Sequence, residues 1–305
     1  MRVFLRSLFT AVGIAGAVQL FAIGALAPRL PAVLGRPAVE TERALTLPGA
    51  ASLSLLNVDG SVHIRTHALD GIEVQASIRA YVRETENETL AQNYVASLIA
   101  TDVQPESVSI VTEPGERPDA IEIQADYNIL VPMGTDIAVA GANGNVWVSA
   151  GCGRVKVHGC NADIEVVEPR GLVTAESTNG RIRVLDAVGG AEVSTVNGNV
   201  YAYIKGGGLR ASTTNGAIVA HRLVPGTGGF DLSSANGGIT LVMADECAGR
   251  VDAETNRGLV KSDFPLTGAS TVTKRRQLQG DIGSGDTTLK MRTLNGNIWI
   301  ARNRT

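Results

Sequence analysis

Trp147, Glu165, Arg183 and Tyr201 lie 18 positions apart. A carboxylate, a guanidinium and two aromatic rings on one line have the chemistry of glycan recognition: rings stack on the apolar face of a sugar while the polar groups hydrogen-bond its hydroxyls. The same line continues through Val219 and Thr240 and recurs at Trp299. Enzymes that cut polysaccharides on a parallel β-helix gather acidic and basic side chains on one exposed sheet in a similar way. The plainer reading is an ordinary outward row in which Glu165 and Arg183 satisfy each other. The four residues are a candidate binding face, and none is assigned a catalytic role.

Other chemistry is scarce. His63 and His67 are four apart, but on a strand-and-turn background this is not the helical pair of a metal site, and His158 and His221 stand alone. There is no glycine-rich phosphate cradle at a strand-to-helix junction, no Gly-x-Ser-x-Gly elbow and no calcium-binding nonapeptide. The expectation is a protein that is not an enzyme and takes no metal and no cofactor.

The spacing of 18 belongs to a longer ruler, which must position any such face. Asn143, Asn161, Asn179, Asn197 and Asn215 follow it, and all but Asn161 precede a glycine, at Gly144, Gly180, Gly198 and Gly216. Asn236-Gly237 and Asn295-Gly296 repeat the turn at altered steps, and Gly258 and Gly280 are further turn candidates. The second and fourth residues after each turn are apolar, as in Ile182 and Val184, and so are the seventh and fifth before it, as in Val173 and Ala175. This is the period of two of a strand with one buried face, so each unit reads as strand, turn, strand. A second glycine-rich bend follows, as at Gly189 and Gly190; glycine accepts positive φ without penalty, which is the expected reason for glycine at both corners of each unit.

Two architectures share that pattern. Asn-Gly is a strong hairpin signal, so the units would form an antiparallel meander; alternatively they stack as a parallel β-solenoid of about 18-residue coils, each Asn above the last. The solenoid fits better, because a meander would leave a wide apolar face open and has no need of constant spacing. It places Asp163 against Arg181, Glu165 against Arg183 and Glu192 against Arg210, pairs that set register more than they stabilise. Ser177, Thr195, Thr213, Ser234, Thr255 and Thr293, three before each turn glycine, read as small hydrogen-bonding corner residues.

With 44% hydrophobic and 4% aromatic residues, the 305-residue chain buries a long aliphatic core. A net charge of -3 and a sequence pI near 5.9 argue against a nucleic-acid binder, which needs a concentrated basic surface. Arg2 and Arg6 precede an apolar run from Leu8 to Ala27, so residues 1–27 are expected to be a signal peptide or membrane anchor that places the protein outside the cytoplasm, in the periplasm or at the cell surface. Residues 28–44, with three prolines, read as an extended spacer, and 45–303 as the solenoid. Cys152 and Cys160 would sit at opposite corners of one coil and Cys247 several coils away, so three free thiols are expected, with an intermolecular bridge left open by the odd count.

Before the ruler, Leu53, Leu55, Asp59-Gly60, Val62 and Ile64 repeat the unit once, Ile72 to Val82 reads as a longer strand, and residues 86–100 carry a helical stripe that would cover an open end. Val108 to Val111 and Ile121 to Val131 read as strands leading into the array. From Tyr127 to Val148 the string YNILVPMGTDIAVAGANGNVWV, followed by STNGRIRV and STVNGNVYAYI, resembles the bacterial putative-adhesin family of unknown function. Val131, Pro132 and Gly134 match its entry motif; Asn161-Ala162 and the stretch from 268 to 285 depart from it. The resemblance implies an exported or anchored β-solenoid without established catalytic residues. Its partner would be an envelope protein or a glycan. An accessory of envelope-stress signalling and a carbohydrate-active protein are the alternatives.

Overall fold

The structure, a computed structural model, describes residues 37–82, 87–113, 118–272, 276–284 and 287–303. The expected signal or anchor segment 1–27 lies outside them. Among the described residues, no helix is long and apolar enough to cross a membrane.

Strands β1 (Val39–Pro48), β2 (Ser52–Asp59), β3 (Val62–His67) and β4 (Gly71–Val82) precede helix α1 (Glu88–Ala96), and β5 (Ile99–Val103), β6 (Ser107–Thr112) and β7 (Ile121–Pro132) follow it. The regular array comprises β8 (Asp136–Asn143) and β9 (Val146–Val148), β10 (Val155–Asn161) and β11 (Ile164–Val167), β12 (Val173–Asn179) and β13 (Ile182–Ala187). It continues as β14 (Ala191–Asn197) and β15 (Val200–Ile204), β16 (Leu209–Asn215) and β17 (Ile218–Arg222), β18 (Phe230–Asn236) and β19 (Ile239–Met243). Last come β20 (Gly249–Arg257), β21 (Val260–Ser262), β22 (Thr267–Val272), β23 (Gln277–Ile282), β24 (Thr288–Asn295) and β25 (Ile298–Arg302).

These strands form two sheets with long parallel runs, a solenoid-like arrangement and not a hairpin meander. The even-numbered strands of the array lie in a back sheet and the odd-numbered ones in a front sheet. Register follows the ruler: Val155 pairs with Val173, Ile164 with Ile182 and Asn179 with Asn197. Ile164, Val166, Val173, Ala175, Ile182 and Val184 all point inward and are at most 1% exposed. Fully burying such an aliphatic side chain contributes roughly 1.5–3 kcal/mol, against about 0–1 kcal/mol for an exposed ion pair. The core therefore supplies the stability, and the surface pairs refine register.

The turns explain the ruler. Each Asn donates its Nδ2 hydrogen to the Oδ1 of the Asn in the unit below, from Asn295 to Asn236 (2.8 Å), Asn215 (2.9 Å), Asn197 (2.7 Å), Asn179 (2.7 Å), Asn161 (2.8 Å) and Asn143 (2.6 Å). Asn143 in turn donates to Asp59, whose carboxylate ends the ladder on the side where amide hydrogens point. The hydroxyls of Ser177, Thr195, Thr213, Ser234, Thr255 and Thr293 are buried and donate at 2.8–3.0 Å to the carbonyl oxygens of turn residues in neighbouring units. Glycine at the turn has a different cause from the one expected. Of the glycines that follow ladder residues, only Gly60 and Gly144 have positive φ; at Gly180, Gly198, Gly216, Gly237 and Gly296 an added Cβ would run into the carbonyl oxygen of the turn beneath. Positive φ belongs to the second bend, at Gly190 and Gly207.

At both ends the stacking departs from chain order. The unit β2–β3 is inserted between β6–β7 and β8–β9, so Asp59 faces Asn143 although 84 residues separate them. Strands β6 and β7 thus do not lead into the array; their unit stacks beyond β2–β3. At the other end the last unit, β24–β25, slots between β18–β19 and β20–β21. Both ends then turn antiparallel. β1 and β4 cover one side of the first end, β5 the other, and β22–β23 cover β20. Helix α1 packs on β4 and β1 through Ala91 and Val95, with Leu98 behind it; Ile99 already belongs to β5. The spacer expected through residue 44 gives way at Val39 to edge strand β1, and Gly280 lies within β23 instead of at a turn.

Candidate binding face

In a strand alternate side chains leave by opposite faces, so the residues between the buried positions of the front sheet must point outward. Trp147, Glu165, Arg183 and Tyr201 are direct register partners on β9, β11, β13 and β15. Three strand spacings put the two aromatic residues about 14 Å apart. The column runs on through Val219, Thr240, Trp299 and Lys261, and back through His63. Within it Arg183 Nη1 donates to Glu165 Oε2 at 2.9 Å, the mutual satisfaction that the plainer reading anticipates. The His63 ring meets Trp147 edge-on, with centroids 6.0 Å apart. At the far end Lys261 Nζ lies 4.9 Å from the Trp299 ring centre, and the indole N–H donates to Asp263 at 3.1 Å. That indole bond, helped by the Arg302 backbone and by Lys261, holds the Asp263 carboxyl below the usual carboxylate range.

A second outward column escaped the sequence reading. Val167, Leu185, Tyr203 and His221 are spaced by the same 18 positions, and Val242 follows. The signal was there in the repeat, two residues beyond each member of the first column. His221 is not isolated: its ring stacks on Tyr203 with centroids 3.9 Å apart and planes 8° from parallel. Burial pushes its pKa down, so the ring is neutral at pH 7. The other histidines also have local partners, His158 at 3.1 Å from Glu176 and His67 at 2.7 Å from the Gly71 carbonyl.

The back sheet is different in kind. Its outward row reads Lys156, Thr174, Glu192, Arg210, Asp231, Lys290, Asp252, in register across the strands. An open groove of about 430 Å³ crosses this row, lined by Glu192, Arg210, Asp231, Lys290, Gly208 and Phe230 among others. Its charges alternate in sign and compensate one another. Asp163 and Arg181 pair at 3.0 Å at the turn edge, while Glu192 and Arg210 are opposed in register. All three cysteines are free thiols, with Cys152 and Cys247 buried; burial pushes Cys152 up to about 12, which makes it unreactive. Among the described residues, no group of three His, Cys, Asp or Glu is placed to hold a metal ion.

Fold and face together define a two-sheet, solenoid-like β protein with one outer surface richer in aromatic and aliphatic side chains and one dominated by charge. No protein-family model matches the sequence, and neither does any curated protein. Several solved structures resemble the chain at low identity and low TM-score. They include a putative adhesin from Bacteroides fragilis (12% identity, TM-score 0.46, covering 87% of this chain and 97% of that one), another from Parabacteroides distasonis (10%, 0.36, 86% and 96%) and a putative cell adhesion protein from Clostridium sporogenes (10%, 0.26, 87% and 100%).

Proposed function

We propose that the chain is a non-enzymatic, adhesin-like interaction module of the bacterial cell envelope, an extracytoplasmic parallel β-solenoid with coils of about 18 residues that works through its front sheet. The observation that carries this reading is the asymmetry of the two outer surfaces. One gathers Trp147, Tyr201, Tyr203, Val167, Leu185 and Val219 around the Glu165–Arg183 pair; the other presents charged and hydroxyl side chains at equivalent positions. Apolar surface gathered on one side of a monomer marks a place where something binds. Export is supported by the Arg2, Arg6 and Leu8 to Ala27 pattern.

Purified protein should bind an envelope component, either a surface glycan on an array or a protein in isolated envelopes. Trp147→Ala and Tyr201→Ala should each weaken that binding while leaving the fold intact. Binding that is indifferent to both substitutions, or no binding to any of these, overturns the proposal.

A further inference from the structure

The order of side chains on the front sheet is self-complementary. Along the solenoid axis the first column reads aromatic, acid, base, aromatic: Trp147, Glu165, Arg183, Tyr201. A two-fold axis lying in the plane of the face, parallel to the strands and midway between β11 and β13, would reverse this order while keeping each residue at the same height along its strand. Trp147 of one copy then opposes Tyr201 of the other, and Glu165 opposes Arg183. At the centre of the second column the same operation brings Val167 of one copy against Leu185 of the other, since the two are register partners on those strands.

We infer that the front sheet is an isologous interface that joins two copies of this chain face to face. The inference rests on the reading of that sheet as the interaction face and names the partner. A closed two-fold contact needs a patch that complements itself, and a row of charges in arbitrary order would not. The ion pair between Glu165 and Arg183 at 2.9 Å becomes a four-charge cluster on association, with each carboxylate between two guanidinium groups, flanked by apolar pairs.

Ring geometry points to a protein surface in preference to a sugar. Tyr203 and His221 are stacked 3.9 Å apart with nearly parallel planes, so each covers one face of the other. A sugar ring stacks on an open aromatic face. Val167 and Leu185, at the centre of the patch, offer no hydrogen bonds to hydroxyls, and their apolar surface suits the core of a protein interface.

The test is sedimentation velocity on the full chain in mild detergent, across a concentration series. Wild type should show a reversible monomer–dimer equilibrium. Glu165→Arg and Arg183→Glu each place like charges across the axis, so each alone should dimerise at least about tenfold more weakly. Mixed in equal amounts, the two variants should form a heterodimer near wild-type strength, because every charge then faces its opposite. Circular dichroism and thermal melts establish that both variants fold. The intramolecular repulsion within each variant is the same in the mixture, so recovery there reports the interface alone. A wild type that stays monomeric throughout its soluble range overturns the inference, as does a mixture that fails to associate or single variants that dimerise as well as wild type. A monomeric protein that still binds an envelope component through Trp147 would sink the dimer and leave the proposed function standing.

Discussion

Ala162 occupies the space that Gly159 leaves open: a Cβ placed on residue 159 would lie 2.7 Å from that of Ala162. In the next unit the two roles are exchanged, with Ser177 in register with Gly159 and glycine at position 180. The departure from Asn-Gly at Asn161-Ala162 therefore does not break the array, since a methyl group at the turn is offset by the missing side chain three residues earlier. Gly159→Ser alone should destabilise the protein by about 1–3 kcal/mol through overpacking. Gly159→Ser combined with Ala162→Gly should recover most of that loss. Urea denaturation of the three proteins measures the coupling, and additive losses would refute it.

The turn glycines give a sharper contrast. A Cβ at Gly216 would penetrate the Gly198 carbonyl oxygen, whereas at Gly71 the nearest atom, the Leu47 carbonyl oxygen, is 3.5 Å away. Neither residue has positive φ. Gly216→Ala should cost more than about 3 kcal/mol or prevent folding, and Gly71→Ala should stay within about 1 kcal/mol of wild type. Equal losses at the two sites would mean that close stacking is not the cause.

The Asn ladder is directional. Asn197 donates to Asn179 and accepts from Asn215, both at 2.7 Å. Asn197→Asp keeps the acceptor but turns the lower oxygen toward another oxygen. It should cost about 1–3 kcal/mol at neutral pH, and more than Asp59→Asn at the ladder's end. Acidification should relieve the Asn197→Asp penalty, because a protonated carboxyl donates again. Denaturation at pH 7 and pH 3 checks both points.

Acid should also weaken the edge at Asp163. Burial raises its pKa, but the Arg181 backbone N–H at 2.7 Å and the guanidinium beside it outweigh burial and hold the carboxyl below its ordinary value. A depressed folded pKa contributes stability above the unfolded value of about 3.9 and loses it as pH falls through the folded one. Asp163→Asn should flatten the decline in stability below about pH 4; an unchanged slope would remove Asp163 from the account.

His221 titrates with the same sign. Its pKa is lowered by burial, so its contribution is present above about 6.5 and fades as pH falls through the depressed folded value. An NMR titration of the imidazole should show a midpoint below that of free histidine. Tyr203→Ala, which uncovers one ring face, should move the midpoint back upward.

Much of the fold was legible because each unit repeats a local instruction. The pairs of apolar residues flanking Asn179-Gly180, the hydroxyl at Ser177 and the facing charges of Asp163 and Arg181 all share one count, and the structure pairs them accordingly. The face was half legible. A single offset from the turn gives Trp147, Glu165, Arg183 and Tyr201, while Tyr203 and His221 lie at the next outward offset. Tyr203 and His221 are register partners on β15 and β17, but their parallel stacking depends on the rotamers of the two rings, which no spacing encodes.

By itself the sequence determined the period of the units, which side chains enter the core and which face outward, since alternation along a strand is local information. Only the tertiary structure decided the order in which units stack at the ends. Asp59 meets Asn143 across 84 residues, and Asn295 bonds Asn236 while Arg257 is left beyond it in the stack. Any unit with the same pattern can in principle sit on any other. The choice falls to non-local terms: which residues continue the amide ladder, and which segments are free to turn antiparallel and cover the open edges.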